Sequence, residues 1–395
     1  MVNKKTIENI SVVNKKVICR VDFNVSLDDN LIITDDLRIK SSFPTIKYLL
    51  DHKAAVILMS HLGRPKGVDE KLRLRPVFDY LTKNLNHKVY YADDCIGEGV
   101  EQLAKNLQPG EVLLLENLRF HKEEEKNDSN FAKRLASLAD IYVNDAFGTA
   151  HRAHASTEGI TKFLPAVAGF LMIKELNYLI NAIENPTRPF TAIIGGKKVS
   201  DKILVLNRLL EKCDNILIGG GMSFTFLKAM GYEIGDSVLD EQGLNTAKEV
   251  LEKAKALNKN LLIPTDIVVA DSFSNDADSK VISSDYGIPK GWMGLDIGMK
   301  TINKMKDVLK TSKTVLWNGP LGVFEMENFA KGTFEIARFL ANSDCTTIIG
   351  GGDTASAIES FDLSEKMTHI STGGGASLEL LEGKILPGVA ALNDK

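Results

Sequence analysis

Three arginines stand just past apolar runs of strand length: Arg64 in SHLGR (60–64), Arg119 in ENLRF (116–120) and Arg152 in VNDAFGTAHRAHAS (143–156). A guanidinium presents a planar fork of donors that grips carboxylate or phosphate through two hydrogen bonds. Eight of the eleven arginines fall in the first 185 residues. If the strands share a sheet, these three converge with His61 and His151 nearby, and Arg38 joins from a helix start in ITDDLRIKSS. That cluster suits a small, strongly anionic molecule. A single arginine is as readily a solvated or salt-bridged side chain; three at equivalent places argue for a site.

The second half ends its apolar runs in glycine: Gly195-Gly196, Gly219-Gly220-Gly221, Gly350-Gly351-Gly352 and Gly373-Gly374-Gly375. Without a Cβ, backbone N–H groups approach phosphate oxygens closely, and a following helix N-terminus adds favourable partial charge. One such loop is only a tight turn; four in half a chain predict a nucleotide phosphate surface. Asp353 puts a carboxylate where phosphate-bound Mg²⁺ would sit. Lys198 and Lys202, four residues apart, share a face if their segment is helical.

An arginine-rich anion site and a glycine-rich phosphate site together point to phosphoryl transfer, which needs positioning and charge neutralisation more than a covalent nucleophile. No G-x-x-x-x-G-K-[ST] string and no H-R-D loop occurs, so neither a P-loop ATPase nor a protein kinase fits. A nicotinamide-dinucleotide dehydrogenase is the alternative, because Gly350-x-Gly352-x-x-Ala355 matches a relaxed dinucleotide fingerprint. The next apolar run, however, ends in Ser371-Thr372 and not in an acid.

The elements that must hold these groups alternate. Continuous Val/Ile/Leu runs at 16–25, 54–63, 111–117 and 141–148, then at 190–196, 215–221, 260–270, 314–320, 346–353 and 367–375, predict parallel strands buried on both faces. Amphipathic stretches such as 244–257, 299–310 and 329–341 lie between them. The fold class expected is α/β: two doubly wound, Rossmann-like parallel-sheet domains joined by an interdomain helix and hinge. Prolines at 165 and 186 bracket the joining helix. The expected organisation is an N-terminal domain over 1–167, a helix over 168–185 and a C-terminal domain over 186–375, followed by a tail over 376–395.

Composition narrows the class further. The chain has 395 residues, 44% hydrophobic and 25% charged, with a formal charge of −4, a balance that does not serve general nucleic-acid or polybasic membrane binding. No apolar run reaches the length of a membrane span, and a cytoplasmic protein is expected. Cys19, Cys95, Cys213 and Cys345 lie far apart without a C-x-x-C pair, which fits a reducing compartment; Cys213 and Cys345, beside apolar runs, are expected as buried fillers. His151 and His154 are three apart, but no carboxylate or cysteine completes a metal set beside them. Glu123-Glu124-Glu125 is expected on a solvated loop or helix face.

The blocks RVDFNV (20–25), SHLGR, ENLRF, VNDAFGTAHRAHAS, GGKKVSDK (195–202), WMGLDIG (292–298), WNGPLGVFE (317–325), GGGDTASA (350–357) and STGGGASLELLEGK (371–384) closely resemble the signature blocks of phosphoglycerate kinases. The resemblance runs in order from near the start of the chain to its end. It implies reversible transfer of the acyl phosphate of 1,3-bisphosphoglycerate to Mg-ADP, giving 3-phosphoglycerate and Mg-ATP, by a monomer whose C-terminal tail returns to the N-terminal domain. It further implies that Asp22, Phe23, Asn24, Arg38, His61, Leu62, Gly63, Arg64, Arg119 and Arg152 hold the phosphoglycerate. Lys202, Gly294, Glu325, Gly351, Gly352, Asp353 and Thr354 would hold the nucleotide, with Asp353 toward Mg²⁺. Arg38, Lys198, Lys202 and the loop at Gly373 and Gly374 are expected to act on the moving phosphoryl group. Two departures stand out: Ser26 where the family usually has proline, and Lys197 where it usually has a small residue.

Overall fold

The computed structural model describes residues 3–395. The chain divides into two compact units, Met1–Asn177 with Ile385–Lys395, and Tyr178–Lys384. The helix Phe170–Glu184 spans the division, so its first turns belong to one unit and its last turns to the other.

In the first unit six strands, β1 (Lys16–Arg20), β2 (Ala55–Met59), β3 (Val89–Tyr91), β4 (Val112–Leu114), β5 (Ile141–Asn144) and β6 (Ala166–Ala168), form one sheet in the order β3-β4-β2-β1-β5-β6. Every pair is parallel. β2, β4 and β5 are buried throughout, as strands covered on both faces must be. The register aligns their carboxyl ends: Arg20 lies opposite both Met59 and Asn144, and Leu58 opposite Leu114. Everything that follows these strands therefore emerges along one edge. The tail packs back on this unit, with Lys5 N–H donating to the Asn393 carbonyl at 2.8 Å and Asn144 Nδ2 to that of Gly388 at 3.1 Å.

The second unit repeats the plan with β7 (Phe190–Ile194), β8 (Asn215–Ile218), β9 (Asn260–Leu262), β13 (Thr314–Asn318), β14 (Thr346–Gly350) and β15 (His369–Ile370), ordered β15-β14-β13-β7-β8-β9 and parallel. Asn318 lies opposite Ile194 and Gly350, again bringing the strand ends level. The two parallel α/β sheets expected from the apolar runs are present.

The run 260–270 is not one strand. Pro264 has no N–H for a ladder, and the chain leaves the parallel sheet there. β10 (Asp266–Ala270) instead pairs antiparallel with β11 (Ser279–Ser283) and β12 (Met293–Ile297) in a separate three-stranded sheet. The predicted helix start at 168 also shifts, because Ala166–Ala168 pairs with β5 as an edge strand. Among the described residues no helix is long and apolar enough to cross a membrane.

Candidate active site

In an open parallel sheet, ligands collect beyond the carboxyl ends of the strands where the order reverses. In the first unit that point lies between β1 and β5, and the residues after β1, β2, β4 and β5 meet there. His61 is their centre. It is buried, and its pKa is driven well below the ordinary range by burial first, then by Arg20, Arg119, Arg152 and Arg38. Four guanidiniums thus surround one neutral imidazole. Arg20 Nη2 lies 3.1 Å from His61 Nδ1; a guanidinium only donates, so Nδ1 accepts and the ring proton sits on Nε2. His61 consequently offers a donor and not a nucleophilic lone pair at that nitrogen.

Local geometry fixes the others. Arg38 is the second residue of the helix Leu37–Asp51; its Nη1 donates to the Asn24 carbonyl at 3.0 Å and lies 3.3 Å from Asp22 Oδ2. Asn24 Oδ1 accepts from Gly63 N–H at 2.8 Å, and Arg119 Nη1 donates to the Gly63 carbonyl at 2.7 Å, clamping the loop after β2 from both sides. Arg152 Nε donates to His151 Nε2 at 3.2 Å. Arg64 is exposed and, among the described residues, pairs with no carboxylate. Phe23 and Leu62 are core residues whose backbones shape the loops: Phe23 N–H donates to Ser60 Oγ, and Leu62 N–H to Asn117 Oδ1.

Sequence reasoning passed over the floor of this basin. Arg20 is 1% exposed, donating through Nε to Ser156 Oγ at 2.9 Å and through Nη1 to the Val21 carbonyl. Ser156 in turn donates to Glu124, from Oγ at 2.6 Å and from its backbone at 2.9 Å. Glu124 was expected in solvent and is fully buried; the short helix Lys122–Glu125 turns it inward while Glu125 faces Arg119 at 3.1 Å. The signal was available, since a charge closing the apolar run KVICR must find a partner inside. His154, 3.8 Å from Glu124, has its pKa lowered to about 4 by burial and by Arg119, Arg20 and Arg152, and stays neutral at pH 7.

Two of the cavities in the second unit share Gly196, Lys197 and Asp353. The larger, about 550 Å³, runs between the antiparallel sheet and the loop after β13 and is lined by Phe224, Ile267, Gly294, Leu321 and Glu325 among others. A Cβ on Gly294 would meet the Phe224 ring at 2.2 Å, so glycine there lets the tip of the ring approach β12. The smaller, about 260 Å³, is lined by Lys198, Lys202, Asn318, Gly351, Gly352, Asp353 and Thr354. Lys202 Nζ donates to the Gly195 and Asn318 carbonyls at 2.8 and 3.0 Å and to Asn318 Oδ1 at 2.6 Å. Burial lowers its pKa to about 8, which Asp353 and Asp201 only partly offset.

The glycine loops divide into two kinds. A Cβ on Gly195 would lie 2.1 Å from the Pro320 carbonyl oxygen, and one on Gly220 2.7 Å from Gly196 N. These glycines let the ends of β7, β8 and β13 press together, and their first role is packing. Gly352 has open space where a Cβ would be, and Gly351 needs its φ of +87° to turn the chain into the helix Gly352–Ser360. Both residues line the smaller cavity. Thr354 is buried, its Oγ1 accepting from Gly319 N–H at 2.7 Å. Gly373 N–H donates to Ser371 Oγ at 3.1 Å, and Gly374 takes a φ of +50° before the short helix Gly375–Leu381. Lys198 and Lys202 do not share a helical face: only Ser200–Lys202 forms a 3₁₀ turn, which leaves Lys198 exposed and Lys202 tucked beneath.

The family model described as phosphoglycerate kinase matches residues 7–384. The chain belongs to the phosphoglycerate kinase family. It is 61% identical over 384 residues to the chloroplastic phosphoglycerate kinase 1 of Arabidopsis thaliana, covering 96% of this chain and 80% of that one. It is 60% identical to the cytosolic phosphoglycerate kinase of Nicotiana tabacum, covering 96% of each. The solved phosphoglycerate kinase of Coxiella burnetii superposes with a TM-score of 0.89 at 41% identity, covering 98% of both chains. Phosphotransfer is therefore the activity, and the family implies 3-phosphoglycerate and ADP/ATP as its substrates. The dehydrogenase alternative falls.

Proposed function

We propose that the basin around His61 holds the phosphoglycerate and that the paired cavities of the second unit hold the adenine nucleotide. The observation that carries this reading is the convergence of Arg20, Arg38, Arg119 and Arg152 on one neutral histidine. The larger cavity, walled by Phe224, Ile267 and Leu321, suits an adenine and ribose with Glu325 at the rim; the smaller, with Lys202 and the Gly351-Gly352 amides, suits phosphates. Asp353, exposed and lining both cavities, fits Mg²⁺, which is commonly held by one carboxylate together with substrate phosphates. Bound there with the nucleotide, Mg²⁺ would neutralise phosphate charge.

The reaction proposed is direct and in line. The bond from phosphorus to the acyl oxygen of 1,3-bisphosphoglycerate breaks as one forms to a terminal oxygen of ADP, leaving a carboxylate and ATP. Arg38, Lys198, Lys202 and the amides near Gly373 and Gly374 offset charge on the moving group. Ligands held by different units react only once those units approach, so closure is part of the reading; scattering with both substrates should show a smaller radius of gyration. The working state is a cytoplasmic monomer, which fractionation and light scattering test.

A coupled assay with 3-phosphoglycerate, Mg-ATP and a downstream reductase measures the activity. Inversion at phosphorus supports direct transfer. Retention, or a trapped phosphohistidine at His61 or His151, overturns it.

A further inference from the structure

We propose that Asp94, Cys95 and His121 form a site for a first-row divalent metal of the zinc class. Asp94 and Cys95 follow β3, and His121 follows the turn Leu118–Phe120, so the three come from two different crossovers of the first unit. Their ligand atoms (a carboxylate oxygen, a thiol sulfur and an imidazole nitrogen) all lie within 4.8 Å of one another. Tetrahedral zinc, with bonds of about 2.0–2.3 Å, needs its ligands roughly 3.3–3.8 Å apart, so Asp94 Oδ1 and His121 Nε2, 2.6 Å apart, would part by about 0.7 Å. Oxygen, nitrogen and sulfur together favour Zn²⁺ or Co²⁺ over Mg²⁺ or Ca²⁺, which take oxygen alone.

The surroundings hold two of the three ligands in place. Cys95 N–H donates to Asp94 Oδ1 at 2.6 Å, and the His121 ring lies against Phe131 with centroids 5.4 Å apart. Asp94 Oδ1 and His121 Nε2 share a proton across 2.6 Å, at the place the metal would take. Cys95 is fully buried whereas the Asp94 side chain is 49% exposed, so entry and a fourth, water-filled position lie on the Asp94 side. On binding, the Cys95 thiol loses its proton to solvent, the imidazole proton moves from Nε2 to Nδ1, and Asp94 stays a carboxylate. One proton leaves per metal, and apparent affinity rises about tenfold per pH unit while the thiol is protonated. The metal would clip the loop after β3 to the turn that carries Arg119, two residues before His121. Phosphoryl transfer does not depend on it.

The test uses the full chain, stripped by a chelator and then freed of it, titrated with Co²⁺ alone and followed by Zn²⁺ displacement. The result expected is one Co²⁺ per chain with a thiolate-to-cobalt charge-transfer band. The band should vanish in Cys95→Ser, and affinity should fall at least about tenfold in Asp94→Asn and in His121→Asn. Absence of the band, or its survival in Cys95→Ser, overturns the proposal. If Cys95→Ser does not fold, the surface variant Asp94→Asn decides: parental affinity there overturns the site, and a loss supports it.

Discussion

The two units share a plan and differ in what they place at its functional edge. Each is a six-stranded parallel sheet with its strand ends in register. At the edge of the first, the surface proposed to hold ligand is side chain: guanidiniums from one strand end (Arg20), two strand-following loops (Arg119 and Arg152) and one helix start (Arg38), held by Asp22, Glu124 and Glu125. At the edge of the second it is mostly backbone, with glycines where chains touch or face a cavity and a single lysine pinned by three carbonyl-type oxygens. A compact anion is gripped by converging charges. A longer nucleotide needs a cleft, an apolar wall and amides along its phosphates. One fold serves both because the strand ends, not the sheet, carry the chemistry.

That contrast is broken most severely by removing a charge from either edge. Arg38→Ala should lower kcat and kcat/KM together by about 10²–10³, the usual cost of a group acting on transition-state charge. A rise in KM alone would reduce Arg38 to a binding residue. Lys202 adds a pH signature. With its pKa near 8, the free protein loses this charge as pH rises through that value, so kcat/KM for the nucleotide should decline above pH about 8. Lys202→Arg, which keeps its charge, should remove the decline if it folds.

Arg20→Met probes the floor of the basin. It leaves Glu124 buried without its cation, and should cost about 3–5 kcal/mol in a denaturant titration. It should also raise KM for 3-phosphoglycerate and leave the nucleotide's KM unchanged. An unaltered stability would mean that Arg20 does not compensate a charge on Glu124, whose pKa burial raises and Arg20 lowers.

Asp145 sharpens the comparison through pH. Its Oδ1 accepts from Leu171 and Met172 N–H at 2.9 and 3.2 Å, capping the helix Phe170–Glu184, and burial raises its pKa to about 7. Between pH 3.8 and 7 the folded form holds a proton that the unfolded chain has released, so stability falls as pH rises, by roughly 4 kcal/mol over that window. Asp145→Asn should flatten that part of the profile. The second unit has a counterpart in Asp296, also raised to about 7 by burial, which accepts from Gly332 N–H at 2.7 Å.

Gly294→Val should drive Phe224 into the larger cavity and raise KM for the nucleotide about tenfold, or about 1.4 kcal/mol. KM for 3-phosphoglycerate should not move. The smallest effect belongs to Lys197, exposed at the junction of the two cavities: Lys197→Ala should change nucleotide KM by about twofold or less, as for a solvent-screened charge.

The amino-acid order determined the alternation of strand and helix, the parallel sheets and the polar character of each strand end. These follow from local periodicity, from residues that have or lack a Cβ, and from which side chains carry charge. The packed chain alone decided which glycines separate strands and which line a cavity, for Gly195 and Gly352 look alike until Pro320 is seen against one of them. It also decided that Glu124 and Arg20 turn inward, and that Asp94, Cys95 and His121 meet across crossovers. Such outcomes depend on contacts between residues distant in sequence, and no local pattern encodes the distance between two loops brought together by a sheet.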